Sequence, residues 1–231
     1  IEDRFLAPLK ETLKRQDIQI LSLTDTPTLR FGPDGVSGVR LHDGTVVQSR
    51  WYVAALSHRT LLPLLPERLL TRYAYFAHIS ELDTVPHMNV QFVRRSTMAS
   101  PRLLLLADRP FHYLTAAPCG TNDIRYQLSN VCNPALIELS DDQLTSLGHS
   151  ELRLLIQEIR PEDIHSVVVA RQSHAALSLK PGAALLRPIQ QSPVGNFLIA
   201  GAWTDTGWPV NVESAIISAQ RCADILAPRL A

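Results

Sequence analysis

Cysteine is scarce in this sequence and never closely paired. Cys119, Cys132 and Cys222 are its three cysteines, and none stands in a Cys-x-x-Cys pair. Neither a disulfide framework nor a zinc site is expected, and a reducing compartment is the simplest setting. Cys222 falls at a helical core spacing and reads as a small buried hydrophobe. No apolar run reaches the roughly 18 residues that mark a membrane-spanning helix, and no signal peptide is recognisable. A surplus of one charge is also missing, since 22 Lys and Arg balance 22 Asp and Glu. That excludes an electrostatic nucleic-acid binder, which needs a basic face. The short basic spots Lys14-Arg15 and Arg94-Arg95 read as solvated turns or strand edges. No internal repeat, low-complexity tract, Ser/His/Asp arrangement or metal-ligand cluster stands out. None of the eight histidines is placed like a catalytic base; His58 and His174 border apolar segments and read as structural. Catalytic residues are therefore left unassigned.

What is present is the balance of an ordinary globular protein: 231 residues, 45% hydrophobic and 19% charged. The chain opens on Ile1 inside a helix-like segment, so a fragment, a processed product or a partial reading frame is expected. Phe5, Leu6, Leu9 and Leu13 lie at helical spacing within residues 4–15, with the regular helix starting near Pro8. Asp17 to Ile20 alternates like a strand. Val36 to Leu41 and Thr45 to Gln48 flank an Asp43-Gly44 turn, a hairpin signal. Trp51 to Leu56 suits a buried strand, and His58 to Leu65 a short helix interrupted by Pro63 and stopped by Pro66. Four strand-like runs follow (87–93, 103–106, 111–116 and 124–131), and together they predict an antiparallel sheet. Ser140-Asp141-Asp142 caps a helix running to about Ile159, and Ile164 to Ala170 is another apolar strand.

The last fifty residues are the most informative. Asn196 to Ala200 reads as a buried strand ending in Gly201-Ala202-Trp203. A polar loop, Thr204-Asp205-Thr206-Gly207-Trp208, leads to a helix expected from Pro209 to about Leu226. That helix is expected to bury Val212, Ala215, Ile216, Ala219, Ala223 and Leu226. Gly201 and Ala202 allow a ligand to approach the backbone closely. The helix N-terminus offers unpaired N–H groups and partial positive charge, which favour an anion: a phosphate, or the negative pyrimidine edge of a reduced flavin.

The order of residues from Asn196 to Ala215 resembles the C-terminal flavin motif of the amine oxidase and phytoene desaturase superfamily. In that motif a strand ends in Ala-Gly-Asp, a loop carries Thr-Gly-aliphatic-Pro, and a helix follows with Glu-Gly-Ala near its start. Trp203, Thr204 and the run Thr206-Gly207-Trp208-Pro209 are most similar to the squalene-associated branch, the hydroxysqualene dehydroxylases. Upstream, the segment from Phe5 to Leu65 is similar to the family's return from the substrate domain to the FAD domain. Ser173 to Ala176, Lys180-Pro181-Gly182 and Arg187-Pro188 parallel the stretch before the flavin strand.

The resemblance implies an α/β (α+β) fold: a partial Rossmann-like FAD-binding domain plus an antiparallel-sheet substrate domain with helices. Residues 1–66 would be the return segment, 67–180 the substrate domain and 181–231 the closing FAD strand–loop–helix. Gly201, Ala202, Asn211 and Val212 would hold FAD through the backbone, the Val212 N–H facing the flavin carbonyl, and Thr206 and Gly207 would shape the loop. Trp203 and Trp208 would line a substrate channel. Glu213 sits where the helix dipole favours a carboxylate whatever the function. The implied activity is an FAD-dependent oxidoreductase acting on an isoprenoid such as a hydroxysqualene- or phytoene-like substrate. A cytoplasmic location with peripheral membrane contact is expected. The largely apolar strands of residues 87–131 suit such a hydrocarbon pocket. Two departures stand out: Ala202 replaces the family's acidic residue, and the glycine-rich GxGxxG turn is absent. Two alternatives stay open, a non-catalytic binding subunit derived from a flavoenzyme, or a different flavin amine oxidase or carotenoid desaturase.

Overall fold

The computed structural model describes residues 6–96, 102–131 and 133–230. Helix α1 (Ala7–Arg15) starts beside Pro8 as expected and buries none of its residues; Phe5 lies outside the described residues. The strand expected at Asp17 to Ile20 does not form. Asp17 turns into the left-handed region at φ 56°, its N–H bonds back to the Lys14 carbonyl, and Ile18 and Ile20 stay exposed. Alternation alone does not make a strand where no neighbour supplies the ladder.

The hairpin is present. Strands β1 (Thr28–Phe31), β2 (Val36–Arg40) and β3 (Val46–Val47) form a three-stranded sheet in that order. Gly44 takes φ 85° at the β2–β3 turn, and Asp43 accepts the Thr45 N–H through Oδ1. Strand β1 was not foreseen, although Thr28-Leu29-Arg30-Phe31 alternates polar with apolar residues and Leu29 and Phe31 pack against the core. Next come β4 (Tyr52–Ala54) and α2 (His58–Leu61), whose N-terminal Ser57 accepts the Thr60 N–H. Pro63 lies in a single 3-10 turn, Leu62–Leu64. Two further short helices, α3 (Glu67–Arg72) and α4 (Ala74–Ser80), were also not foreseen. They are joined at an extended Tyr73 and bury Leu69, Phe76 and Ile79.

The predicted antiparallel sheet has five strands: β5 (Thr84–Arg95), β6 (Arg102–Leu105), β7 (Tyr113–Pro118), β8 (Asp123–Val131) and β9 (Ile164–Leu177). Their spatial order is β6-β7-β8-β5-β9, with every pairing antiparallel. Strand β9 runs on to Leu177 instead of ending at Ala170, so Ser173 to Ala176 belong to it. Between β8 and β9 lie α5 (Pro134–Ile137) and α6 (Asp141–Leu155). Ser140 and Gln143 form a reciprocal capping box at the start of α6. The helix stops at Leu155 rather than Ile159 because Ile156 swings to φ −138°, ψ 90°. It lies on one face of the sheet, closing a core of Val90, Phe92, Leu114, Leu128, Leu144 and Leu152. Gly148 permits that closeness: a Cβ there would meet the Phe92 ring at 2.7 Å. Arg94 is tucked against the Tyr126 ring, 5.8 Å from its centroid, and so is not the solvated edge expected.

After β9 come α7 (Ala183–Leu186), β10 (Phe197–Ile199) and α8 (Val212–Leu230). Strand β10 pairs in parallel with β4. A second core gathers Val36, Tyr52, Leu61, Phe76, Phe197 and Trp203. The architecture is thus a parallel β4–β10 pair with its helices beside a five-stranded antiparallel sheet, the mixed fold class expected.

Candidate functional site

Strand β10 is fully buried, and Leu198 and Ala200 at its end pack with Cys222 of α8. Cys222 is therefore the small core hydrophobe its spacing predicted. The chain leaves the strand through Gly201 at φ 155°. A Cβ at Gly201 would strike the Trp203 indole nitrogen at 2.7 Å, so only glycine lets the indole fold back here. Trp203 is buried and donates its indole N–H to the Leu56 carbonyl at 2.8 Å.

The loop that follows is tied down from its carbonyl side. Arg187 donates from Nη2 to the carbonyls of Ala202 (3.1 Å) and Thr204 (2.6 Å), from Nε to Trp203 (3.2 Å), and from Nη1 to Trp208 (2.9 Å). Burial pushes its pKa down, partly offset by Asp205, yet a guanidinium stays charged throughout the working pH range. Arg221 of α8 holds the carbonyls of Asp205 (2.7 Å) and Thr206 (3.0 Å). Gln190 donates to Thr204 Oγ1 at 2.9 Å, and Ser218 Oγ accepts the Gly201 N–H at 3.0 Å. The loop thus holds its shape through the protein's own groups, with its carbonyls turned inward. Of Arg187, Gln190, Ser218 and Arg221, only Arg187 carries a signal in the sequence, the Arg187-Pro188 pair. No local pattern announces that one side chain will serve four carbonyls fifteen or more residues away.

Helix α8 begins at Val212, not at Pro209. Asn211 is its capping residue: its Oδ1 accepts the Ser214 N–H at 2.9 Å, and its carbonyl accepts the Ala215 N–H. Pro209 stays in the loop. The buried face is also not the one expected. Ser214, Ser218 and Cys222 face inward, whereas Val212 is 76% and Ile216 59% exposed. The polar face wins the inside because it meets loop carbonyls and hydroxyls: Ser214 Oγ donates to the Ala202 carbonyl at 3.0 Å and lies 2.6 Å from Thr206 Oγ1. Apolar spacing identifies a face but not its neighbour.

The structure therefore gathers Gly201, Ala202, Thr206, Gly207, Asn211 and Val212 on the single β10–α8 connection. Thr206 is buried and Gly207 takes φ 77°, both within the loop's framework. Val212 lies in the first turn of α8, where backbone N–H groups lack intrahelical partners. Trp208 is half exposed and its carbonyl is bound by Arg187. Glu213 is likewise exposed in the first turn. Ala202 and Trp203 border a cavity of about 460 Å³ that also reaches His58, Gln172, His174 and Ala176. His58 is buried, its ring centroid 5.7 Å from that of Trp203. Burial lowers its pKa, against the Leu82 carbonyl and Asp83, which favour the proton. His174 Nδ1 lies 2.8 Å from Thr84 Oγ1.

Residues 24–227 match the family model described as flavin containing amine oxidoreductase. The chain belongs to this flavin-containing amine oxidoreductase family. Over 96% of its length it is 23% identical to a 15-cis-phytoene desaturase of Synechococcus elongatus, covering 47% of that protein. A hydroxysqualene dehydroxylase of Rhodopseudomonas palustris is 34% identical over 58 residues, which are 25% of this chain and 14% of the relative. The fold matches cyclohexylamine oxidase of Brevibacterium oxydans with a TM-score of 0.66 at 14% identity, covering 96% of this chain and 51% of that one. The chain thus spans about half the length of the relatives it matches.

The residues present fit one end of a flavin. Small residues end β10, the loop carbonyls are withdrawn, and the first turn of α8 presents N–H donors with partial positive charge. This suits the electron-rich edge of a reduced ring. None of the ten glycines falls into the GxGxxG pattern that marks a pyrophosphate turn.

Proposed function

We propose that this family member supplies the flavin-closing and substrate-facing part of an FAD-dependent oxidoreductase acting on an isoprenoid. The observation that supports this most is the β10–α8 connection, whose carbonyls are drawn inward by Arg187 and Arg221. Backbone groups of Gly201, Ala202, Asn211 and Val212 would hold the flavin, with Thr206 and Gly207 fixing the loop. A positive helix end and oriented N–H groups favour negative charge on the ligand without reorganising. FAD supplies the redox chemistry when bound. Trp203 and Trp208 would border the substrate, Trp203 from the wall of the cavity and Trp208 from the exposed part of the loop. The division into residues 1–66, 67–180 and 181–231 belongs to the same reading.

The isoprenoid assignment draws on the phytoene desaturase and hydroxysqualene dehydroxylase relatives. An isoprenoid partitions into membranes, so peripheral membrane contact is part of the proposal. No helix among the described residues is long and apolar enough to cross a membrane. Co-sedimentation with liposomes should pull the protein down, and protein left wholly in the supernatant would remove this part.

Ala202 favours a second reading, a binding subunit that has given up catalysis. Losing a charge-assisted hydrogen bond to the cofactor costs roughly 1.5–3 kcal/mol, about ten- to a hundredfold or more in affinity. The deciding experiment is a flavin absorbance spectrum of the full-length protein, repeated with Ala202→Asp. A flavin spectrum in the first, strengthened in the second, supports the enzyme. If the full-length protein has no flavin and the substitution restores none, the enzyme reading fails and the subunit reading stands.

A further inference from the structure

The five-stranded sheet has two unlike faces. One is the apolar face closed by α6. Strand pairing sets the side chains of the other in rows. One row runs Leu103, Thr115, Gln127, Gln91 and Val168 from β6 through β7, β8 and β5 to β9. The row beside it runs Leu105, Tyr113, Ser129, Asn89 and Ala170. At about 4.8 Å between strands, each row spans roughly 19 Å. Both rows are polar in the middle and apolar at the margins, and the margins are open: Leu105 is 82% exposed, Leu103 63% and Val168 51%.

The polar centre is a connected network. Gln91 Nε2 donates to Gln127 Oε1 at 3.2 Å, and Gln127 Nε2 donates to Ser129 Oγ (3.1 Å) and Asn89 Oδ1 (3.3 Å). Ser129, fully buried, donates to Asn89 Oδ1 at 2.6 Å. After these bonds the Asn89 amide nitrogen and the Gln91 amide oxygen have no side-chain partner among the described residues, which leaves one donor and one acceptor on this face of β5. A hydroxyl both donates and accepts. A bare hydrocarbon laid across this centre would strip water from both amides and return nothing.

The face is continuous with the site described above. Along β9 Gln172 and Ala176 keep this side, paired with His87 and Val85 of β5 on either side of a bulge that contains His174, and these three β9 residues border the cavity shared with Ala202 and Trp203. A ligand reaching from that cavity onto the sheet lies across the rows.

We infer that Asn89, Gln91 and Gln127, positioned by the buried Ser129, form a specificity subsite that binds an oxygen group, a hydroxyl or carbonyl, set between hydrocarbon arms. The arms lie on the apolar margins. This rests on the flavoenzyme reading and narrows its substrate to an oxygenated isoprenoid, against a bare polyene.

The test uses nerolidol, an isoprenoid alcohol with an internal hydroxyl, and farnesene, the hydrocarbon left when water is removed from it. Each is titrated into the full chain while backbone amide resonances are followed by NMR. Nerolidol should shift the amides of residues 89, 91, 127 and 129 and bind about tenfold or more tightly than farnesene. Gln127→Leu should remove that preference while leaving farnesene binding equal or stronger. If Gln127→Leu disturbs the fold by circular dichroism, Gln91→Leu, at the open end of the network, gives the same reading. Equal affinities, a preference for farnesene, shifts confined to other residues, or no binding of either ligand would overturn the subsite. The flavin spectrum of the full-length protein is measured separately: flavin bound with no alcohol preference breaks the subsite and spares the flavoenzyme reading.

Discussion

The two cores of this chain are completed to different degrees. The five-stranded sheet covers its apolar face with α6 and turns outward a face centred on amides and hydroxyls, an arrangement antiparallel sheets tolerate. The β4–β10 pair is parallel and only two strands wide. Parallel sheets are ordinarily covered on both faces, yet Val53 of β4 is exposed, as are Val212 and Ile216 of α8. An antiparallel sheet can be assembled from successive hairpins, whereas each parallel neighbour must come from a distant crossover. In the first region β6, β7 and β8 pair in succession and β5 inserts between β8 and β9, whereas the second pairs β4 with the distant β10 and leaves apolar side chains exposed. Within that second region, the β10–α8 loop is held by polar side chains together with the packing of Trp203 in the core.

Four experiments would break or sharpen this contrast. The largest effect is expected in the self-contained sheet: Phe92→Ala should cost about 3–5 kcal/mol in urea unfolding, because the ring is fully buried beneath α6. A loss under about 1 kcal/mol would show that this core does not sustain the region. Arg187→Met should cost about 3 kcal/mol, since four loop carbonyls lose their donor. Amide exchange across residues 201–208 should quicken with it, and unchanged exchange would mean the loop is held by other groups.

The third experiment concerns pH. Burial depresses the His58 pKa, so the unfolded chain takes up the proton more readily than the folded one. The folded state is then at full strength above the ordinary histidine value of about 6.5, and it weakens as the pH falls below that value. His149, also depressed by burial, acts in the same direction, so His58→Gln should lessen the slope of melting temperature between about pH 7.5 and 5 without abolishing it. An unaltered slope would show that His58 is not the group responsible. The smallest effect is expected for Val212→Ser combined with Ile216→Ser. On this chain alone the pair should change stability by no more than about 0.5 kcal/mol, as for other surface positions. A clearly larger cost would mean that this helix face is already covered.

Much of the fold was legible because its signals are local. Asp43-Gly44 marks the hairpin, Ser140 and Gln143 cap α6, and Pro-, Gly- and Asn-rich breaks separate the strands of the sheet. The same reasoning failed where the deciding partner is remote. Asp17 to Ile20 alternates but has no strand beside it. The α3 and α4 segments are too short for their periodicity to stand out. The buried face of α8 is rotated from the apolar one because the loop's polar groups, invisible to an apolar pattern, attract Ser214, which donates to the Ala202 carbonyl, and Ser218, which accepts the Gly201 N–H. The buried apolar side chains of the sheet pack beneath α6, while the open face is polar in its centre and keeps Leu103, Leu105 and Val168 exposed at its margins.

Residue order alone determined the family resemblance, the strand–loop–helix at the end of the chain, and the small residues Gly201 and Ala202 where the strand ends. These follow from conformational preferences acting over a few residues. Tertiary structure alone decided that Arg187 and Arg221 gather the loop's carbonyls, that His58 meets Trp203, and that Asn89, Gln91, Gln127 and Ser129 join into one network. Those contacts connect residues far apart in the chain, and their energy depends on burial and on hydrogen-bond geometry, which exist only once the strands are in register.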